Sequence, residues 1–262
     1  MFPSLSTSIR GGVRARVGGR AARLLSSRPH SSLTHEMGRA DRRLDKVKAE
    51  VDAVIALARS TSSRRREVEG RREVKQERHD EKEEARVLLS DLRTDHAGEY
   101  GAVAIYEGAL PFVKSAAAKA FVKEHIDNER QHLRYFTHLL PPAERTSLLP
   151  LWKLAGWTLG ALPSLISDRA LFITIDAVES FVEEHYNEQI NPLKKSGKYP
   201  AIRKLLEECC EDEVHHRDDA RLRHSSPSSS PPPSPLLQGI EATWRAIVGG
   251  GSKGAVTLSR WM

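Results

Sequence analysis

Four stretches of this chain repeat apolar residues at steps of three and four, and each sets a glutamate among its apolar neighbours. The first reads Ala85, Leu89, Leu92, His96, Glu99, Val103, Tyr106, Leu110, with Pro111 as its stop. The second is Ala118, Val122, His125, Glu129, His132, Phe136, Leu139, before Pro141 and Pro142. The third, Phe172, Ile175, Glu179, Val182, Tyr186, is expected to end near Asn191 and Pro192. The fourth opens at Pro200, a first-turn proline, and runs Ile202, Leu206, Cys209, Glu213, His216, Ala220. Such steps give one apolar face per helix, and four such faces close on one another as a bundle. No stretch alternates with the period of a strand, so the chain is expected to be all-α.

The glutamates are what constrain the fold. Burying one unpaired carboxylate costs several kcal/mol, and four together also repel. A domain whose whole stability is roughly 5–15 kcal/mol does not carry that load alone. Two of the stripes place a histidine three residues after the glutamate, and side chains at i and i+3 point the same way. The set is one glutamate from each of two helices, Glu99 and Glu179. The other two helices give a Glu-x-x-His pair each, Glu129/His132 and Glu213/His216. Four carboxylates neutralise two divalent ions, and this is the ligand pattern of ferritin-like two-metal bundles. Mixed oxygen and imidazole donors suit iron or manganese better than a thiolate zinc site. One Glu-x-x-His alone is usually solvated surface; two of them in register with two further glutamates are not. His96 and His125 also fall on the stripes and read as packing or supporting groups. His215 turns away from His216, and Cys209 and Cys210 read as reduced core residues.

The rest of the chain is organised around that bundle. The formal net charge is +6, and residues 1–35 hold six arginines with no acid before Glu36. A basic, acid-free, Ser- and Gly-containing start reads as an organelle transit peptide. The alternative is a basic arm for nucleic acid, but no basic, aromatic-interleaved surface follows it, so no nucleic-acid partner is expected. Residues 36–86 are dense in charge of both signs and read as a helical or disordered extension. A thin stripe of Leu44, Val47, Val51, Val54, Ile55 and Ala58 within them predicts one amphipathic helix. The bundle is assigned to 87–262, with a Ser/Pro loop at 225–235 and a short helical tail of one or two small helices. Between the second and third stripes, residues 148–166 are rich in apolar side chains, with Lys153 the only charge. They are broken by Pro150 and Pro163 and too short to span a bilayer. They read as an apolar crossover: an interfacial helix with Trp152 and Trp157 at headgroup depth, or a buried connection.

At these residues the chain resembles the demethoxyubiquinone hydroxylase family of ubiquinone biosynthesis. The resemblance is carried by LRTDHAGEYGAVAIYEG around Glu99, NERQHLRYF around Glu129, LWKLAGWTLGAL, DAVESFVEEHYNEQI around Glu179 and DEVHHRD around Glu213. It implies a ferritin-like bundle with two iron ions held by Glu99, Glu129, His132, Glu179, Glu213 and His216. It implies hydroxylation by O2 of a prenylated demethoxyubiquinol at the matrix face of the mitochondrial inner membrane, by a peripheral protein working with a lipid-binding partner. His185 and Tyr186 would help electrons or substrate reach the iron; core packing explains Tyr186 equally well. The alternatives are another di-iron protein (a quinol oxidase or ferroxidase) and a non-enzymatic lipid-binding scaffold subunit. The segment 36–86 and the Ser/Pro run depart from the family pattern, and Glu184 stands where some members have a further histidine.

Overall fold

The computed structural model describes residues 30–60, 72–225 and 234–261. The transit reading of 1–35 falls almost wholly outside them, as does most of the Ser/Pro run 225–235. The chain divides into two units, Met1–Arg42 and Arg43–Met262. Only the opening of the first helix is described in the former.

Seven α-helices and one 3-10 turn account for the described structure, with no strand among the described residues. They are α1 (His30–Arg59), α2 (Arg72–Ala109), α3 (Ala116–Leu139), α4 (Leu149–Ile166), α5 (Asp168–Ser196), α6 (Pro200–Ser225) and α7 (Pro235–Trp261). Helices α2, α3, α5 and α6 are the four stripes. Their starts and stops follow local chemistry. Ser115 accepts from Ala118 N at the head of α3, and Ser167 from Ala170 N at the head of α5. Gly197, left-handed at φ 68°, closes α5.

The stop expected at Asn191–Pro192 does not occur, because α5 continues to Ser196. Pro192 lies on an exposed face, where the carbonyl it leaves without a donor can turn to water. Leu193, buried beside it, ties this last turn to the core.

The apolar faces form two separate clusters. One holds Leu92 of α2, Phe136 and Leu139 of α3, Tyr186 and Ile190 of α5, and Leu206 and Cys209 of α6. The other holds Ile105 and Tyr106 of α2, Phe121, Val122 and Ile126 of α3, Ile175 and Val178 of α5, and Ala220 of α6. Along every bundle helix the glutamate falls between the two. The helices cross this middle layer in two senses: α2 and α6 go from the first cluster to the second, α3 and α5 return. Helices α2/α3 and α5/α6 are thus antiparallel hairpins, while α3 and α5 run the same way, which is why the long crossover α4 is needed between them.

The helix expected within 36–86 is not peripheral over its second half. Val47, Val51 and Val54 are fully buried in the first cluster. Glu50 of α1 accepts from the free backbone N–H groups of Ala201 and Ile202 at the start of α6, at 2.9–3.1 Å. A carboxylate there satisfies donors that have no partner in their own helix and meets the positive end of its dipole. From Gln76 to Glu84 the side chains are exposed or nearly so, as their charge requires.

The tail is one long helix rather than one or two small ones, and it runs straight through Gly249–Gly251. Three glycines weaken a helix by about 1 kcal/mol each. Tertiary anchors offset this. Trp244 Nε1 donates to Thr174 Oγ1 at 2.8 Å, and Arg260 Nη2 to Asp91 Oδ1 at 2.8 Å. Arg245 reaches Asp176 at 2.6 Å; that buried carboxylate also takes Arg221 and His224, joining α5, α6 and α7. Helix α4 packs on α2 through glycine: a Cβ at Gly160 would collide with the Ile105 carbonyl, and one at Gly156 with the Gly101 carbonyl. Its opposite face is apolar and exposed, with Leu154 at 64% and Ile166 at 74% accessible. Trp157 lies on that face, whereas Trp152 turns inward, its indole N–H bonded to Ser259 Oγ at 2.9 Å. No helix among the described residues is long and apolar enough to cross a membrane.

Candidate metal centre

The layer between the two apolar clusters holds all six residues of the expected ligand set, each 4% exposed or less. They fall into two groups. Glu99, Glu129, His132 and Glu213 bring one donor atom each to within 4.8 Å of one another, and so do Glu129, Glu179, Glu213 and His216. Glu129 and Glu213 belong to both groups. The geometry is that of two adjacent cation sites sharing two carboxylates, with Glu99/His132 at one end and Glu179/His216 at the other.

The imidazoles are aimed inward. His132 Nδ1 lies 3.0 Å from Glu213 Oε1 and 3.6 Å from Glu99 Oε2, while its Nε2 is bonded to Asp212 Oδ2 at 3.0 Å. Asp212 therefore keeps a proton on Nε2 and leaves Nδ1 as the donor toward the layer, a common device for orienting metal-binding histidines. His216 Nδ1 lies 3.0 Å from both Glu129 Oε1 and Glu213 Oε2. Tyr186 donates its hydroxyl to Glu99 Oε1 at 2.6 Å, fixing that carboxylate's orientation.

Without cations the charge balance is poor. Burial and then the facing Glu213 carboxylate push Glu129 up to about 8. Glu179 is raised well above the usual carboxyl range by burial, Glu213 and Glu129. Burial also pushes Glu213 upward, but hydrogen bonds from His132 and His216 outweigh it and hold the group down at about 2. Burial would lower His216; its ion-pair contact with Glu129 and its hydrogen bond to Glu213 instead lift it to about 11. His132 is raised further still by Asp212, Glu213 and Glu99. Protons thus gather where the donor set calls for positive charge. Even so, both oxygens of Glu129, Glu99 Oε2 and His216 Nε2 are buried without a hydrogen-bond partner. Buried polar atoms are seldom left so. Four carboxylates and two imidazoles in this arrangement fit a pair of divalent cations.

The other histidines stand behind this layer. His96 Nε2 is 3.3 Å from Thr137 Oγ1, across α2 and α3. His125 packs its ring 4.3 Å from that of His216 and bonds Asp219 at 3.1 Å. His215 belongs to neither group of donors. Cys209 and Cys210 are free and buried. His185, to which the resemblance gives a relay role, bonds Thr94 Oγ1 at 2.8 Å and stacks on Phe181. Sequence reasoning missed Asp212, Asp95 and Gln189. The signal for Asp95 was present, since it precedes Glu99 by four residues and so shares its helix face.

Against the layer lies a cavity of about 360 Å³. Glu99, Glu129, Glu179 and Glu213 form part of its wall, and Ile105, Leu159, Val178, Val182, Val248 and Val256 give it a mostly apolar lining. Helix α4 closes one side and α7 another. Ile247 of α7 both lines the cavity and is 59% exposed, so the cavity reaches the surface beside it. Gly98, Gly101 and Gly251 also line it, and a Cβ on any of them would project into open space.

The family model for "Ubiquinone biosynthesis protein COQ7" matches residues 86–259. Among curated proteins, the chain is 33% identical over 139 residues to the rat "NADPH-dependent 3-demethoxyubiquinone 3-hydroxylase, mitochondrial", covering 52% of this chain and 64% of the rat protein. It is 31% identical over 139 residues to the Dictyostelium discoideum protein of the same name, with the same shares. It is 32% identical over 151 residues to the Rhodospirillum rubrum "3-demethoxyubiquinol 3-hydroxylase", covering 56% of this chain and 69% of that one. The match spans a little under two thirds of the mitochondrial relatives' own length.

Proposed function

This chain belongs to the ubiquinone biosynthesis protein COQ7 family, and on that premise we propose that it is a di-iron hydroxylase acting on a demethoxyubiquinol ring. The observation that carries the reading is the pair of four-residue donor groups sharing Glu129 and Glu213 in the wall of an apolar cavity. Glu99 and His132 would hold one iron and Glu179 and His216 the other, with Glu129 and Glu213 belonging to both donor groups. When bound, the two irons supply the electrons that activate O2.

The chain's own residues do the rest. Asp212 fixes the His132 tautomer and Tyr186 orients Glu99. The apolar wall excludes water and holds a substituted ring against the carboxylates. Overall, one ring C–H becomes C–OH and the second oxygen leaves as water, with two electrons and a proton from NADPH and a second proton from solvent; the mitochondrial relatives are named as NADPH-dependent.

The prenyl tail has a route. The cavity reaches the surface at Ile247, between helices whose outward faces carry Leu154, Trp157, Leu162 and Ile166 on α4 and Leu236, Ile240 and Leu258 on α7. Apolar faces of this extent mark contact with lipid or protein. The protein acts as a peripheral protein at the matrix face of the mitochondrial inner membrane, together with a lipid-binding partner; the arginine-rich residues 1–35 are its transit peptide.

The test is anaerobic loading with Fe2+, followed by O2, NADPH and a demethoxyubiquinol, with iron analysis and mass spectrometry of the quinones. Two irons per chain and a hydroxylated product are expected, both lost in Glu179→Ala. Oxygen uptake with no hydroxylated quinone would make the protein an oxidase, and stable protein without iron would make it a scaffold.

A further inference from the structure

The cavity wall has a second polar feature that the metal centre does not use. Thr94, Asp95 and His185 line it, and Gln189 stands behind them. Their hydrogen bonds are determined by proton counting. Thr94 gives its hydroxyl proton to the Asp91 carbonyl at 2.7 Å, so in its 2.8 Å contact with His185 Nε2 it must accept. Nε2 therefore carries the proton. The ring is neutral, since burial, aided by the Arg260 charge, lowers it to about 4. Asp95 Oδ1 accepts from Gln189 Nε2 at 2.7 Å and lies 3.6 Å from His185 Nε2. Asp95 Oδ2 has no partner at all, although the residue is only 4% exposed.

Outside the metal layer, Asp95 is the one buried side chain of the described cavity wall with an unpartnered polar atom. Leaving such an atom bare costs about 1–3 kcal/mol. A ligand oxygen arriving in the cavity removes that cost. We propose, resting on the hydroxylase reading, that Asp95 Oδ2 is the anchor for a ring oxygen of the quinol and sets which ring carbon faces the metal layer. A phenolic hydroxyl can donate and accept, so it satisfies Oδ2 whichever partner carries the proton. Asp95 and Glu99 are one turn apart on the same face of α2, about 6 Å along the axis. That separation is comparable with the span of a substituted six-membered ring. A ring tethered by one oxygen at Asp95 therefore presents its far side to Glu99. Gln189 holds Oδ1, and the Thr94–His185 bond holds the imidazole beside it, so the anchor does not rotate away.

The test uses the full chain without added metal, so that binding is read apart from turnover. Quenching of tryptophan fluorescence by a short-tailed demethoxyquinol is compared with quenching by the same ring with both hydroxyls methylated. Asp95→Asn keeps an acceptor for Gln189 but offers only an amide N–H₂ to the ring; Asp95→Ala removes the anchor. The alanine variant should weaken quinol binding at least tenfold and leave the dimethyl ether unchanged. The asparagine variant should fall between. In iron-loaded protein, Asp95→Ala should keep its metal but form less hydroxylated quinone per O2 consumed, because the ring C–H is no longer held toward the metal layer. Equal loss for both ligands, or no loss for either, overturns the anchor. Failure of the unaltered protein to bind the quinol would instead overturn the hydroxylase reading itself.

Discussion

Replacing Glu129 by methionine should make the metal-free protein more stable while abolishing its metal site. Glu129 is fully buried, its oxygens make no hydrogen bond, and burial and Glu213 push its carboxyl up to about 8 despite the 3.0 Å contact of Oε1 with His216. A carboxyl raised in this way favours folding below its unfolded value and loses that contribution as pH rises toward 8. At about 1.4 kcal/mol per pH unit, the interval from an ordinary carboxyl to neutral pH amounts to about 3 kcal/mol. Methionine has nearly the same length, no charge and enough flexibility to fill the space, so repacking should return less than about 1.5 kcal/mol of that gain. The net is about 1.5–3 kcal/mol, or roughly 3–12 °C in melting temperature for a domain of this size.

The assay is thermal and urea unfolding of chelated protein from pH 5 to 8, repeated with Mn2+ or Fe2+ under argon. The variant should gain on the unaltered protein as pH rises, and metal should stabilise only the latter. A Glu129→Met protein that is less stable than its parent at every pH, or that still gains stability from metal, would refute the idea that these carboxylates are kept for a cation.

Gly160→Ala should destabilise by about 1–3 kcal/mol despite its better helix propensity, because its Cβ meets the Ile105 carbonyl and forces α4 off α2; urea unfolding reads it. Gly101→Val should leave metal content and melting temperature unchanged but raise KM for the quinol several-fold, since its side chain enters the cavity. Asp176→Asn removes the charge shared by Arg221, His224 and Arg245, and should cost about 2–3 kcal/mol at pH 7. Those partners hold Asp176 well below the usual carboxylate range against its burial. Its contribution is therefore present above about pH 4 and fades only in strong acid, so parent and variant should converge there.

The candidate ligand set is legible in the sequence because helices repeat every 3.6 residues. Glu99, Glu129, His132, Glu179, Glu213 and His216 are marked by sitting where apolar residues belong, an anomaly local to each helix. The same periodicity delivers the four bundle helices and the amphipathic stripe of α1. What one-dimensional pattern does not reach are relations between helices. That Glu129 and Glu213 stand between both donor groups depends on how α3 meets α6. So does the Asp212–His132 bond, since along the chain Asp212 looks like one more acid on a charged helix.

Prolines and glycines mislead for the same reason. Pro192 and Gly249–Gly251 are locally unfavourable to helix, yet packing of Leu193 and the anchors at Trp244, Arg245 and Arg260 outweighs a few kcal/mol of backbone preference. The burial of Val47, Val51 and Val54, and the bare oxygen of Asp95, likewise arise from contacts between residues far apart along the chain. Periodicity reveals which face of a helix avoids water; it holds no record of what that face will touch.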